Sequence, residues 1–502
     1  MRAKALMVLG TGSGAGKSLI AAGILRILSD MGADAAPFKA QNMALNSFIT
    51  KDGGEIGMAQ ALQAEAARVE ATTDMNPILL KAAGPAGCQV IACGRVKGGM
   101  TAKEYYAWKE EAWEIASSAY KRLAARHGTI VMEGAGSPAE INLMDKDIVN
   151  MRMARFAGAA ALLVGDIDRG GVFASLYGTV SLVGGDRELI RGFIINKFRG
   201  DADILAPGLT MIEEKTGVPA LGVIPYLKLD LPEEDSLSLS SCRPAAPHSG
   251  PALKIVVVKN PFISNFTDFG PLSAEPDVEV VFSDRTREIG SADLVIIPGS
   301  KNTSLDLLFL RQAGIEESIK RAVEKGVPVI GICGGFQMLG DVVRDPRGIE
   351  SEFKEIRGLG LLPVETVLEE PKITSQVEAV WVGKEKDDER LTGYELHMGR
   401  TIGKGTGEGC GLFELKRLAT GERVMDGAGK GVVWGTYIHG IFENDAFRGR
   451  LLNDLRLRAG LPEQKPVSYR ALKEQAIDRL AAAIRENVDF RKIEELLFLC
   501  TG

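Results

Sequence analysis

Residues 4 to 18 read Lys-Ala-Leu-Met-Val-Leu-Gly-Thr-Gly-Ser-Gly-Ala-Gly-Lys-Ser, an apolar run that passes into a glycine-rich turn closing on Gly16, Lys17 and Ser18. Strand, glycine turn and helix start, in that order, read as a phosphate-binding loop in an α/β domain. Thr11, Gly12, Ser13, Gly14, Ala15 and Gly16 form a turn whose backbone N–H groups point into one concavity. Lys17 supplies a cation for the outer phosphates of ATP, and Ser18 offers a hydroxyl to Mg²⁺. A helix follows, with Leu19, Ile20, Gly23, Ile24, Ile27 and Leu28 on one face and Gly32 as its stop.

Working outward, short apolar runs at 6–9, 129–132, 161–164, 193–195 and 221–224 alternate with helical stretches, which predicts a mostly parallel sheet with helices on both faces. The stretch 232–251 is polar and proline-bearing, and we read it as a linker. Beyond it, 255–258, 278–282, 294–297 and 327–330 repeat the same grammar. The expected organisation is therefore two doubly wound α/β domains, 1–231 and 252–450. A helical tail, 451–502, follows, because Leu472, Ala476, Ile477, Leu480, Ile484 and Val488 recur at helical spacing. The tail is expected to dock on one of the domains.

In the second domain an apolar run leads into Gly331-Ile332-Cys333-Gly334-Gly335, and Tyr437-Ile438-His439-Gly440 lies far downstream. A strand that ends in such a turn presents its thiol as a nucleophile elbow does, and a histidine reaching it would keep the sulfur deprotonated. The leading reading is hydrolysis of glutamine, with His439 later protonating the departing ammonia. The competing reading is a buried, inert cysteine.

Polar clusters follow several strands of the first domain, where open α/β sheets bind ligands. Lys39, Gln41 and Asn42 add a cation and two amides, while Glu133 and Asp166 each end a strand with a carboxylate. Both acids suit an Mg²⁺ site, against helix capping or a solvated loop. Asn196 is read either as contacting a nucleobase edge or as a turn residue.

The 502 residues exceed one hydrophobic core. A net charge of −6 gives no basic footprint for nucleic acid. Six scattered cysteines and four histidines leave little for a zinc site, and reduced thiols in a cytosol are expected. We expect no signal peptide ahead of the loop, since a short apolar strand leads straight into it, and the apolar runs are too short to span a membrane as helices.

These signals together suggest activation of a carboxylate by ATP in one domain and delivery of ammonia from glutamine in the other. At this point the residues resemble the cobyric acid synthase family of glutamine-dependent amidotransferases. The loop through Lys17-Ser18 is similar to that of the dethiobiotin-synthetase-like ligases. Residues 37–43, 133–137, 166–175 and 196–201 match the more specific family strings, and residues 298–301, the Cys333 elbow and residues 393–399 look like its class I glutaminase domain.

The resemblance implies ATP-dependent amidation of the b, d, e and g carboxylates of adenosylcobyrinic acid a,c-diamide, with glutamine as ammonia donor. It makes Cys333 the nucleophile and His439 the base, with Gly299 and Gly334 N–H groups as oxyanion hole, and it assigns Lys17, Ser18, Lys39 and Glu133 to phosphate and Mg²⁺. One departure stands out. Many class I glutaminases place a glutamate two residues after the histidine, whereas here Ile441 occupies that position and the nearest acid is Glu443. What orients His439 stays open, and His397 reads as structural or interdomain.

Three alternatives remain. The enzyme amidating the a and c carboxylates shares both domain types, but the strings around Lys39 and Asp168 favour the first reading. A nucleotide switch with a dead glutaminase domain is opposed by Gly12, where partition ATPases carry a lysine, and by the intact Cys333 and His439. A pure glutaminase is opposed by the Lys17-Ser18 pair.

Overall fold

The computed structural model describes residues 3–84, 87–229, 231, 252–382, 390–403 and 409–499. The expected linker, 232–251, lies outside the described residues.

Lys4–Gly10 is a central strand of a six-stranded, all-parallel sheet. The order across it is Ala220–Pro225, Ile190–Phe198, Ala160–Asp166, Lys4–Gly10, Thr129–Glu133 and Ala35–Phe38. Leu6, Met7, Val8 and Leu9 are all fully buried, because a parallel strand covered on both faces is apolar at every position. Met7 and Leu9 join the core on one face, and Leu6 and Val8 the core on the other. The neighbouring strands end at Glu133 and Asp166, one on each side of the loop strand.

The second core also receives the end of the chain. Helix Tyr469–Asn487 packs on helix Lys17–Asp30 through Ala476, Ile477, Leu480 and Ile484. Gly23 permits the close approach, since a Cβ there would lie 2.3 Å from Ile484 Cδ1. Arg26, fully buried, reaches Glu474 at 2.7 Å. The tail therefore returns to the first domain and completes its helical layer.

Between residues 41 and 101 the first domain carries structure that periodicity did not reveal. One small sheet contains Gln41–Met43, Ile78–Gly84, Gly87–Ala92 and Arg95–Thr101, and a hairpin pairs Ser47–Ile49 with Glu55–Gly57. Helix Met58–Ala66 lies between them. These strands are short and rich in small or polar residues, so they give no clear alternation.

The second domain has a ten-stranded sheet. Its parallel half runs Val278–Ser283, Leu253–Val258, Leu294–Ile297, Val329–Ile332 and Val433–Thr436. Its antiparallel half continues through Arg423–Lys430, Cys410–Arg417, Ile373–Trp381 and Arg390–His397 to Ile438–His439. Val433–Thr436 and Ile438–His439 are one residue apart in the chain but four strands apart in the sheet. The antiparallel half therefore curls round and returns His439 toward the strand that carries Cys333.

The hairpin of the first domain plugs into this curl. Thr374 Oγ1 donates to Gly53 O at 2.7 Å, Gln376 Nε2 to Ile49 O at 2.8 Å, and the Phe266 N–H to Asn46 Oδ1 at 3.0 Å. Among the described residues no helix is long and apolar enough to cross a membrane.

Candidate active sites

Cys333 follows strand Val329–Ile332 and precedes the short helix Gly334–Leu339. Its backbone takes φ 52° and ψ −109°, a strained conformation for a side-chain-bearing residue, which costs about 1–3 kcal/mol and is held by the surrounding packing. Glycine is required beside it, because a Cβ on Gly335 would stand 1.9 Å from Ile297 O. The elbow aims the nearly buried Sγ into a cleft shared with His439, 3.3 Å from Leu396 O.

His439 is almost fully buried, and its Nδ1–H donates to Asp268 Oδ2 at 2.7 Å. The other carboxylate oxygen accepts the Gly440 N–H at 3.1 Å, which fixes the carboxylate plane. Asp268 lies on a 3-10 turn, Phe266–Phe269, just after the first strand region of the domain. The Tyr394 ring stacks on the imidazole at 5.2 Å between centroids, and its hydroxyl donates to Ser47 O of the first domain at 3.1 Å. Burial alone would push the imidazole pKa down. Asp268 and the Cys333 sulfur, each close enough to hydrogen-bond the ring, override that and raise it to about 10. A thiol, an imidazole and a carboxylate in this order can form a nucleophilic triad.

Sequence reasoning left the third member open and pointed no further than Glu443. Glu443 instead lies in a second cavity with Lys473, where burial raises its pKa. The available signal was the acid in Asn265-Phe266-Thr267-Asp268-Phe269, placed after the first strand of the domain. Of the two residues expected for an oxyanion hole, Gly334 lines the cleft. Gly299 sits one residue behind its wall, and Ser300 is the part of that turn that faces Gly334, its N 2.7 Å from where a Gly334 Cβ would be. His397 stacks on Tyr437 at 3.7 Å, and its Nδ1 bonds Gly399 O at 3.1 Å, so its ring is engaged in packing the cleft wall.

The phosphate loop folds as its sequence requires. Gly14 and Gly16 have φ of 74° and 99°. A Cβ on Gly16 would meet Asn196 Nδ2 at 2.1 Å, and that same amide supports the loop by donating to Ala15 O at 2.9 Å. Nothing lies within 4 Å of a Cβ built on Gly12. Lys17 Nζ is held over the loop by Gly12 O at 2.9 Å and Gly136 O at 3.0 Å.

Glu133 is the hub beside the loop. Its Oε1 accepts from Ser18 Oγ at 2.7 Å and Lys39 Nζ at 2.8 Å, and its Oε2 from Gln63 Nε2 at 2.7 Å and Gln60 Nε2 at 3.2 Å. Burial would raise the carboxylate's pKa, but Lys39 and these donors win and lower it. Gln60 and Gln63, on helix Met58–Ala66, were not foreseen from sequence.

Asp166 is not brought into this group. Its Oδ2 pairs with Lys197 Nζ at 2.8 Å and Arg169 Nε at 3.6 Å, and Lys197 also reaches Gly14 O at 2.6 Å. Among the described residues no three His, Cys, Asp or Glu side chains form a metal cage. One hydroxyl and one carboxylate beside a phosphate loop nevertheless fit Mg²⁺, which takes most of its remaining ligands from phosphate and water.

Comparison with known proteins agrees with both halves. Residues 6–237 match a family described as CobQ/CobB/MinD/ParA nucleotide binding domain, and residues 254–447 match one described as CobB/CobQ-like glutamine amidotransferase domain. The cobyric acid synthase of Thermodesulfovibrio yellowstonii is 47% identical over 496 residues, 98% of this chain and 99% of that protein. Those of Syntrophobacter fumaroxidans and Clostridium botulinum strain Loch Maree are 46% identical over 515 residues and 47% over 497, and each alignment covers at least 98% of both chains. With likeness of this extent running through both sites, the chain belongs to the cobyric acid synthase family.

Proposed function

We propose that this chain amidates the b, d, e and g carboxylates of adenosylcobyrinic acid a,c-diamide, using ATP for activation and glutamine for ammonia. The reading is supported most by one observation: the Cys333, His439 and Asp268 constellation and the Lys17, Ser18 and Glu133 constellation belong to one polypeptide whose hairpin joins the two domains.

In the glutaminase half, Cys333 Sγ attacks the glutamine carboxamide carbon, and the Gly334 N–H with a backbone N–H of the 299–300 turn faces the developing oxyanion. His439, protonated and oriented by Asp268, gives its proton to the departing nitrogen, and ammonia leaves a γ-glutamyl thioester. Water then attacks the thioester with His439 as base, which releases glutamate and restores the thiol.

In the synthetase half, a corrinoid carboxylate oxygen attacks the γ-phosphorus of ATP, ADP departs, and an acyl phosphate forms. Lys17 and the loop N–H groups stabilise charge on the transferred phosphoryl group. Ser18, with Glu133 beside it, would hold Mg²⁺, which would neutralise charge on the phosphates. Lys39 holds Glu133 ionised, and Asn196 and Lys197 brace the loop. Ammonia attacks the acyl carbon, and phosphate leaves the amide.

The test is incubation of the protein with ATP, Mg²⁺, glutamine and adenosylcobyrinic acid a,c-diamide, with the corrinoid followed by mass spectrometry. Four successive acid-to-amide exchanges are expected. Active glutamine hydrolysis with an unchanged corrinoid would reject the substrate and leave the amidotransferase chemistry standing.

A further inference from the structure

Three lysines line the cleft at Cys333, and they come from both domains: Lys301 and Lys372 from the second, Lys81 from the first. Lys81 lies on strand Ile78–Gly84 and is 3% exposed. Its Nζ is 2.6 Å from Oε1 of Glu55, whose Oε2 is 2.6 Å from Lys372 Nζ. Glu55 sits on the hairpin that plugs into the second domain, so one carboxylate serves two ammonium groups across the domain boundary.

Lys301 differs from both. Among the described residues its Nζ makes no hydrogen bond or ion pair. Burial and then the nearby Lys372 lower its pKa, and Glu350, Glu55 and the Cys333 sulfur act on it only from a distance. Glu350 also lines the cleft; it accepts the Thr303 N–H at 3.2 Å, and burial raises its pKa. Three lysines thus line the cleft beside Glu350, and Glu55 pairs with two of them. Such a set is electrostatically suited to an anion, and above all to one that can reach the unpaired ammonium.

Glutamine brings an anion to this place by its own geometry. With its carboxamide at Cys333, its α-carbon follows two methylenes further on, still inside a cleft of this lining. A carboxylate and an ammonium there meet a lining that carries three lysines and Glu350.

We propose that Lys301 and Lys81 receive the α-carboxylate of glutamine, so that the synthetase domain supplies part of the glutamine site, while Glu350 faces the α-ammonium. This rests on the glutaminase reading of Cys333. It means that recognition of the amino-acid end of glutamine depends on the docked hairpin and on Lys81, and that a glutaminase domain by itself has an incomplete site.

The experiment compares L-glutamine with L-glutamine α-amide, which has the same side chain and no carboxylate. Glutamate or isoglutamine release is measured with the full-length chain, ATP and corrinoid acceptor. Lys301→Met is the first variant, since no partner is left unpaired by it. Lys81→Met is the second, in which Glu55 keeps its ion pair with Lys372. Each is expected to raise KM for glutamine about tenfold or more, with kcat changed by no more than about threefold, because a ground-state contact is removed. KM for the α-amide is expected to stay within about twofold, so the preference for the carboxylate collapses. An unchanged preference in Lys301→Met and in Lys81→Met would overturn the proposal, as would equal loss for both substrates, the mark of a structural role. Absence of hydrolysis by the wild-type chain would be a failure of the glutaminase reading itself.

Discussion

Asp268 holds His439 from a place remote in sequence: its Oδ2 accepts the Nδ1–H at 2.7 Å while its Oδ1 accepts the next backbone N–H, from Gly440, at 3.1 Å. The two residues are separated by 171 positions. A carboxylate gripping both ring and backbone sets the tautomer and the tilt together, leaving Nε2 for the sulfur.

Asp268→Asn is therefore expected to reduce glutamine-dependent amidation by about 10²–10⁴-fold through the wrong tautomer and a mobile ring. Amidation with free ammonium, which bypasses the ring, is the control. Steady-state rates with the two nitrogen donors decide it; a glutamine rate within about threefold of wild type would remove Asp268 from the triad.

The raised pKa of His439 carries a pH signature. Its folded value of about 10 lies above the ordinary 6.5, so the protonated ring contributes stability that is fully present below about pH 6.5 and is lost as pH rises through about 10. The difference in Tm between wild type and His439→Gln should be greatest at pH 6 and shrink steadily toward pH 10. A difference that grows with pH would contradict the ion pair.

The two halves should separate cleanly. Cys333→Ala is expected to abolish glutamine use and to keep amidation from ammonium, whereas Lys17→Ala should lose both, since the loop cation serves the phosphoryl transfer whatever the nitrogen source. Equal loss with ammonium in the two variants would defeat this division.

Glu133→Gln should be costly twice over. Lys39, 5% exposed, would be left without its carboxylate, a change that destabilises by about 3–5 kcal/mol when a buried pair is broken. Ammonium-dependent amidation should also require far more Mg²⁺. Melting curves and an Mg²⁺ titration read the two effects separately, and unchanged values in both would show that Glu133 is a bystander.

Ile484→Ala tests the returning tail. Ile484 is fully buried against helix Lys17–Asp30, so the truncation should cost about 2–5 kcal/mol. Denaturant unfolding measures it; a loss below about 0.5 kcal/mol, the range of exposed positions, would mean the tail does not support the first domain.

Much of the fold was legible because it rests on local rules. A buried parallel strand has to be apolar throughout, and Leu6 to Leu9 say so; a loop at φ of 99° needs glycine, and Gly16 is there. The strand before the elbow was read two residues early, at 327–330 in place of Val329–Ile332, since an apolar run does not mark where pairing begins. The hairpin at 47–57 was illegible, because its strands are three residues each and are stabilised by the second domain more than by their own pattern.

By itself the sequence determined the chemistry available: a loop for phosphate, a thiol on an elbow, a histidine for it, and the family to which they belong. Those signals are encoded in contiguous stretches, where the spacing of glycines and apolar residues dictates backbone shape. Only the tertiary structure decided who their partners are. Asp268 for His439, Gln60 and Gln63 for Glu133, Lys81 for the cleft at Cys333 and Ile484 for Gly23 are pairings between distant segments. A single chain records such pairings in no local pattern, because a buried carboxylate or amide can be satisfied by any donor that the fold brings to it.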